Sequence, residues 1–348
     1  MSRSIIGVEI TEECARAVEV TTGRTPQIVA SGEAPLPAEA AHDSEVLDPG
    51  AVALAIRQLW STAKFRSRNV TLGVASRRIL VREYTTTAMK PDLLRKALPF
   101  QVQDLLPVPV SQAVLDYYPI SQTGDQVHGL LVAAVSETIE QIIATFARAK
   151  VRISDVDLTA FGLARATAAL VPTGTGAIVY AGDHTTQVVV TRDGVPDFVR
   201  IVPVDLATPA VRRRQIAPTE EDALDALLAG RPAQVPEAEL VAAGVTPVRR
   251  SGLRASEAER PYGDFLARVR STLSFYSNRP DAQPFDQVLL TGPGAVIDGV
   301  AESLAGSVEA PVRLVGATDL AVGRMPLPPG EHAHALVSTL GLVLGKDR

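Results

Sequence analysis

Residues 5–20 read IIGVEITEECARAVEV, and residues 177–190 read AIVYAGDHTTQVVV. Each stretch is an apolar run, a short polar turn and a second run in which apolar residues recur. This pattern is typical of two antiparallel strands joined by a tight turn. A further turn and a third apolar run follow each pair, QIVASGEAPL in the first case and PDFVRIVPV in the second. The two meanders begin about 170 residues apart, which predicts a duplicated fold.

The segments after the two meanders repeat the same order. A helix is predicted after each one, because apolar residues recur at helical spacing. The shared faces carry Val52, Ile56, Leu59 and Trp60 in the first half, and Phe265, Val269, Leu273 and Tyr276 in the second. A buried strand follows each helix, NVTLGVA in the first half and FDQVLLTGPGA in the second. Two such α/β halves facing each other across a cleft are predicted to form the actin-like ATPase architecture.

Composition limits the class of protein. The chain has 348 residues, 46% of them hydrophobic, which is enough for two domains with real cores. Its net charge of -5 predicts no nucleic-acid partner and no general attraction to anionic lipid. Cys14 is the single cysteine, which excludes internal disulfides and zinc sites built on cysteine. We interpret the arginine runs Arg212 to Arg214 and Arg249-Arg250 as solvated loop charge.

Location is inferred from the absence of targeting signals. The opening MSRSIIGVEITEE is unlike a secretory signal, and no apolar stretch reaches the roughly 20 residues that span a bilayer. The late apolar run ALVSTLGLVLG is too short for that and is expected to be a docked core helix. We expect a cytoplasmic protein that is peripheral to the inner membrane and has no direct membrane insertion.

Five segments together resemble the PilM family of type IV pilus assembly proteins and, more distantly, the cell-division protein FtsA. They cover nearly the whole chain in the order and spacing of the family. The segments are IGVEITEECARAVEV (6–20), LLRKALPFQVQDLLPVPVSQAVLDYYPI (93–120), LLVAAVSETIEQIIATFARAKVRISDVDLTAFGLARA (130–166), RVRSTLSFYSN (268–278) and VLLTGPGAVIDGVAESLA (288–305).

The resemblance implies an actin-like fold with two RNase H-like halves and an inserted strand-helix-strand-strand (SHS2) module. The strand RRILVREYT, a helix and the strands VLDYYPIS and VHGLLVAAV support that order independently. The expected limits are 1–77 with 152–175 for the first half and 78–151 for the insert. The second half is expected at 176–203 with 263–348, and a smaller subdomain at 204–262.

The resemblance also implies a nucleotide cleft, and the sequence departs from the family pattern there. A working first loop has Asp, then Gly, where this chain has Glu9 and Thr11, followed by Glu12 and Glu13. Tyr180 stands where the family has a catalytic Asp. A phenol with a pKa near 10 replaces neither a metal ligand nor a base at neutral pH. We interpret the acidic turn as solvated and His184 as an exposed turn histidine.

Other residues keep the family register, so a degenerate nucleotide site remains predicted. Its candidates are Glu9, Thr11, Gly182, Thr185, Thr186, Gly292 and Gly294. After Pro203 the family has paired glycines, whereas this chain has Val204, Asp205, Leu206 and Ala207. We therefore expect no catalytic residue, no ATP hydrolysis, no metal site and no cofactor. Binding of ATP and magnesium without hydrolysis stays open as the less favoured outcome.

By resemblance, the function is that of a docking adaptor. The family binds the short cytoplasmic tail of the inner-membrane pilus protein PilN between the first half and the insert, and it contacts the pilus assembly ATPase. Candidate groove residues here are Val81, Arg82, Tyr84 and Tyr117. The alternative is an ATP-binding, filament-forming protein of the FtsA kind. A sugar kinase lacks an evident sugar-binding carboxylate, and for a nuclease only Glu9 lies at a strand end. The oligomeric state is left open.

Overall fold

The architecture rests on two mixed sheets with the same internal order. A computed structural model describes residues 4–23, 25–216, 262–324, 327–328 and 330–345. The first sheet has the strand order β10 (152–158), β6 (69–74), β1 (4–10), β2 (14–21), β3 (27–35) and β16 (322–323). The second has the order β13 (195–203), β12 (185–192), β11 (175–181), β14 (287–291) and β15 (312–314). When β11 is aligned with β1, the strands of the second sheet, taken from β13 to β15, have the same order as those of the first sheet taken from β3 to β10. The predicted duplication is confirmed.

The meanders form the core of each half. In the first half, β1 (Ser4–Ile10), β2 (Cys14–Thr21) and β3 (Gln27–Pro35) are antiparallel, and β6 (Asn69–Val74) pairs with β1 in parallel. In the second half, β11 (Thr175–Ala181), β12 (Thr185–Arg192) and β13 (Val195–Pro203) are antiparallel, and β14 (Gln287–Thr291) pairs with β11 in parallel. The outer strands are β10 (Arg152–Leu158), β15 (Val312–Leu314) and β16 (Val322–Gly323).

Helices cover the sheets and join them. In the first half, α1 (Pro49–Ala63) begins where the Asp48 carboxylate accepts the N–H groups of Gly50 and Ala51. Between the sheets, α4 (Thr159–Leu170) packs on α8 (Glu331–Gly341). A Cβ on Gly341 would lie 2.1 Å from the carbonyl oxygen of Gly162, so the two helices meet at a contact that only glycine allows. The late apolar run is therefore a buried core helix, as predicted.

A separate three-stranded sheet with the order β7-β9-β8 lies between β6 and β10 in the chain. Its elements are β7 (Leu80–Thr87), α2 (Pro91–Val102), β8 (Ala113–Thr123), β9 (Gln126–Val135) and α3 (Ser136–Arg148). These elements fall within the expected limits of the insert. A small hairpin of β4 (Ala41–His42) and β5 (Glu45–Val46) lies before α1 and contacts the insert through Glu45, which pairs with Arg78 at 2.7 Å.

The second half carries three more helices, α5 (Pro209–Ile216), α6 (Gly263–Ser277) and α7 (Val300–Ala305). Of the expected subdomain at 204–262, only 204–216 and 262 are among the described residues, and Arg249-Arg250 lie outside them. Within the described ranges, none of the helices has both the length and the apolar character to cross a bilayer.

Candidate functional site: the cleft and the insert

The floor of the cleft is a buried ion pair. Glu9 on β1 and Tyr180 on β11 occupy the same position in the two duplicated strands, each one residue before the strand ends. Arg16, on β2, is paired with Glu9 across the hairpin; its Nη1 lies 3.0 Å from Glu9 Oε1 and 3.4 Å from the Tyr180 hydroxyl oxygen. All three side chains are buried. Burial raises the pKa of Tyr180 above its usual value, which keeps the phenol neutral.

The Glu9 carboxylate is also bound from the second half. Ser338 Oγ donates to Glu9 Oε2 at 3.0 Å and Thr339 Oγ1 donates to Oε1 at 2.8 Å, both from α8. With Arg16, these donors satisfy the carboxylate of Glu9, which the sequence analysis placed in a degenerate nucleotide site. The first half and the core helix are thereby joined under the cleft.

Thr11 binds the backbone of its own loop. Its Oγ1 accepts the N–H groups of Glu13 and Cys14 at 3.2 and 3.1 Å. In actin-like clefts, by contrast, loop N–H groups are the atoms that would approach a phosphate. The threonine hydroxyl therefore accepts hydrogen bonds from two backbone N–H groups of the first loop.

Charged side chains bridge the cleft above this loop. Glu13 Oε1 accepts from Arg214 Nη1 on α5 at 3.0 Å and lies 3.1 Å from His184 Nε2 on the second loop. The other ring nitrogen of His184 lies 2.8 Å from Asp205 Oδ1. Arg214 also donates to the Glu12 carbonyl oxygen at 3.2 Å. We call Glu13, His184 and Arg214 the cleft bridge.

The ionisation of the cleft bridge follows from these contacts. Hydrogen bonding to Glu13, with a further contribution from Asp205, raises the pKa of His184 from 6.5 to about 9, although burial opposes the shift. Burial raises the pKa of Glu13, but His184 and Arg214 outweigh that effect and lower it below its usual value. At neutral pH the bridge is therefore a carboxylate held between two cations.

Three expectations from the sequence are wrong here. The acidic turn is not solvated, because Glu13 is only 7% exposed and Glu12 contacts both His42 and the N–H of Asp43. His184 is half-buried and paired rather than an exposed turn histidine. Arg212 to Arg214 lie on a helix instead of a loop, and Arg213 pairs with Glu331 at 3.1 Å. In each case the partner is distant in sequence, so local composition gave no signal.

The glycines of the second half contact protein atoms. A Cβ on Gly292, whose φ is 94°, would lie 2.5 Å from the carbonyl oxygen of Ala181. A Cβ on Gly294 would lie 2.5 Å from Leu206 Cδ1, and Leu206 is 2% exposed. Gly182 is required by its own hairpin, where a Cβ would lie 2.3 Å from the carbonyl oxygen of Thr185. Packing alone therefore accounts for these three glycines.

Two adjoining cavities lie between the loops. Glu9, Thr11, Gly182 and Thr185 line a cavity of about 50 Å³, whereas pockets for small molecules are typically about 300–1,000 Å³. Thr186 is buried behind them, and its Oγ1 has no hydrogen-bond partner among the described residues. Gly292 and Gly294 lie on the second-half loop and do not line this cavity. An adjoining cavity of about 260 Å³, lined by Glu12, His184 and Thr185 among other residues, includes only Thr185 of the predicted candidates. Among the described residues, the candidates thus share a region but do not together enclose a nucleotide-sized space.

The predicted groove residues lie on two faces of the insert sheet. Tyr84 and Tyr117 face α2, with their rings edge to face at 6.4 Å and the Tyr117 hydroxyl 3.0 Å from the Tyr84 carbonyl oxygen. Tyr117 lines an open groove of about 510 Å³ between α2 and β8. Arg82 is exposed, and Val81 packs against the core of the first half. The structure therefore brings the two tyrosines together and separates them from Val81.

A second crevice lies between the first half and the insert, and the sequence did not single out its residues. Its apolar lining is Val74, Ile79, Ile139 and Ile142. Arg78 Nη1 donates to Glu45 Oε2 at 2.7 Å at the rim. The crevice encloses only about 10 Å³. The helical spacing of Ile139 and Ile142 on α3 was a visible signal, but only the packed insert shows that this face meets Val74.

The repeated strand order and the cleft between the halves define an actin-like protein. Among solved structures, a PilM-PilN type IV pilus biogenesis complex matches with a TM-score of 0.75 at 19% identity, covering 98% of each chain. The ethanolamine utilization protein EutJ from Carboxydothermus hydrogenoformans matches with a TM-score of 0.50 at 13% identity, covering 98% of this chain and 89% of that one. At these identities, the likeness shows the fold.

A sequence-family model described as type IV pilus assembly protein PilM matches residues 7–200, more than half of the chain. The chain therefore belongs to the PilM family of type IV pilus assembly proteins, as the resemblance indicated. A search of curated proteins found no match.

Proposed function

We propose that the chain is a docking adaptor of type IV pilus assembly that binds the N-terminal tail of a PilN-like inner-membrane protein and links it to the assembly ATPase. The match over 98% of the chain to a PilM-PilN complex is the observation that carries this proposal. Docking of a membrane protein's tail would keep the chain on the cytoplasmic side, next to the inner membrane. The link to the assembly ATPase rests on family membership alone.

The crevice between the first half and the insert is the docking site that we favour. Its lining of Val74, Ile79, Ile139 and Ile142 suits the apolar side chains of an extended tail, and it adjoins both modules. Its volume of about 10 Å³ is too small for such side chains. Binding therefore requires the insert to move away from the first half, with the Arg78–Glu45 ion pair opening at the rim.

We also propose that the cleft between the halves holds no nucleotide. The Thr11 hydroxyl accepts from loop N–H groups, the cleft bridge of Glu13, His184 and Arg214 spans the space above that loop, and Leu206 packs against Gly294. The residues present do not fit a magnesium nucleotide, and ATP hydrolysis has no assigned residue.

Calorimetry with a synthetic PilN-like N-terminal peptide tests the adaptor proposal. We expect saturable binding with a negative heat-capacity change, because apolar surface is buried. Absence of heat at high micromolar peptide would overturn it. The FtsA-like alternative predicts instead a response to Mg-ATP and ATP-dependent assembly, which light scattering would detect.

A further inference from the structure

A strongly basic surface lies at one end of the first half, although the whole chain has a net charge of -5. The end of α1 and the turn after it contribute four exposed cations, which are Arg57, Lys64, Arg66 and Arg68. The end of α3 and the residues after it contribute three more, Arg148, Lys150 and Arg152. We call these seven residues the basic end.

Backbone contacts hold the two segments of the basic end together. Arg57 Nη1 and Arg68 Nη1 donate to the carbonyl oxygens of Arg148 and Lys150, each at 3.3 Å. The N–H of Arg152 donates to the Arg68 carbonyl oxygen at 2.7 Å. Because β6 and β10 are parallel neighbours, their first residues meet at one edge of the sheet, and the cations before them form one surface.

Both lysines of the basic end have a backbone conformation that glycine adopts with less strain. Lys64 ends α1 with φ 55° and ψ 42°, and Lys150 follows α3 with φ 61°. Both are left-handed conformations, which glycine adopts freely and other L-residues adopt only with strain. Favourable interaction with the ends of helices accounts for Arg148 in the last turn of α3. The helix dipole also favours a cation at Lys64 and at Lys150, but this effect is weak at exposed sites and does not exceed the strain of the left-handed conformation.

We propose that the basic end is a peripheral contact site for anionic lipid headgroups. Long, exposed cationic side chains suit a charged bilayer surface, which attracts each lysine or arginine near it. Leu54, 60% exposed and one turn before Arg57 on α1, adds an apolar side chain of the kind that enters the headgroup region. The nearby aromatic residues Trp60 and Phe65 are buried, so they offer no exposed ring on which bases could stack.

The basic end lies near the proposed docking crevice, which is consistent with a lipid surface as its partner. The docking crevice is lined by Ile139 and Ile142 on α3, and the basic end begins at Arg148 on the same helix. At about 1.5 Å per residue, Arg148 lies about 9 Å along α3 from Ile142 and about 14 Å from Ile139. If a membrane protein's tail occupies the crevice, the basic end lies close to the bilayer. This step alone rests on the proposed function, because the charge and the strained lysines do not depend on it.

Vesicle co-sedimentation of the full chain without any peptide tests the proposal. We expect binding to phosphatidylcholine vesicles that contain phosphatidylglycerol, no binding to pure phosphatidylcholine, and loss of binding in high salt. The Lys64→Gly/Lys150→Gly variant should bind about thirtyfold more weakly, about fivefold for each lysine removed. It should also melt at a higher temperature than the wild type, because strain is relieved. Weaker binding by a more stable protein cannot be attributed to misfolding.

The matched control is Lys96→Gln/Arg200→Gln, which removes the same charge from exposed sites on α2 and β13. It should bind anionic vesicles within a few-fold of the wild type. Equal binding to neutral and anionic vesicles, or equal loss in the control and the glycine variant, would overturn the proposal. Tighter binding of a short DNA duplex or of polyglutamate than of the vesicles would overturn it as well. Failure of the peptide to bind in calorimetry would leave these results unaffected and would count only against the adaptor function.

Discussion

The cleft between the two halves and the crevice beside the insert differ in what occupies them. The cleft is filled by polar side chains of the chain itself, with Glu9 and Glu13 each held by donors from the opposite half. The crevice has an aliphatic lining from both modules, and the Arg78–Glu45 ion pair lies at its rim. A buried, satisfied charge network resists opening, whereas an apolar seam with one half-exposed ion pair opens at lower cost. We therefore expect the cleft to stay closed and the crevice to open and bind the partner.

The largest effect is expected at the cleft floor. Arg16→Met leaves the Glu9 carboxylate buried without its cation, so the free energy of unfolding should fall by about 3–5 kcal/mol. The double variant Arg16→Met/Glu9→Gln should recover part of that loss, because the buried carboxylate is removed, while Glu33, which Arg16 also contacts at 3.2 Å, keeps His332 as a neighbour. Chemical denaturation measures both. The control is Arg77→Met, which removes a half-exposed partner of Asp43 and should cost less than about 1 kcal/mol.

Equal losses for Arg16→Met and Arg77→Met would contradict the view that the cleft floor is a closed network. They would indicate that water enters the cleft and screens Glu9. The cleft would then not be the more rigid of the two regions.

The next effect is expected in the crevice. Ile139→Glu places a carboxylate among apolar side chains that should contact the tail, so peptide affinity should fall at least about tenfold. Ile143→Glu is the matched control, because Ile143 lies on the same helix but is 41% exposed and does not line the crevice. Calorimetry with the synthetic tail measures both affinities. Unchanged affinity in Ile139→Glu would move the docking site elsewhere, with the groove beside Tyr117 as the next candidate.

The smallest effect is a pH dependence of the cleft bridge. The pKa of His184 is raised to about 9, so its contribution to stability is fully present below about 6.5 and is lost as pH rises through about 9. The pKa of Glu13 is lowered, so the dependence has the opposite sign at acid pH. Its contribution to stability is present above pH 4.5 and is lost as pH falls through the pKa of Glu13 in the folded protein. Melting temperatures between pH 6 and 10 should therefore decline in the wild type and decline less in His184→Gln.

His128→Gln serves as the control for that measurement. His128 lies on β9 of the insert, within 3.3 Å of Thr85 and away from the cleft. The melting temperature of the His128→Gln variant should decline with pH as steeply as that of the wild type. If His184→Gln declined as steeply as the wild type, the cleft bridge would contribute nothing to closure.

The fold could be predicted because its signals are local. Alternating apolar residues and tight turns identify the meanders of β1 to β3 and β11 to β13, and their spacing reveals the duplication. The contents of the cleft could not be predicted in this way. Arg16 and Tyr180 are 164 residues apart, Glu13 and Arg214 are 201 apart, and Glu9 and Ser338 are 329 apart.

One contact of the cleft floor was within reach of the sequence. Glu9 and Arg16 face each other across the first hairpin, so the strand register pairs opposite charges. Burial of that pair, by contrast, depends on α8 from the end of the described chain, and no local pattern indicates it. Sequence patterns thus located the cleft and identified its departures from the family, while the packed structure shows which side chains fill it.

The most direct test of the central claim is the melting temperature of the purified chain in a large excess of Mg-ATP. Because the cleft is occupied by its own side chains, we predict the same melting temperature with and without the nucleotide. A bound ligand at about 100 times its dissociation constant would stabilise the chain by about 2.7 kcal/mol. A rise in melting temperature of that size would contradict the account and show that the cleft opens to nucleotide.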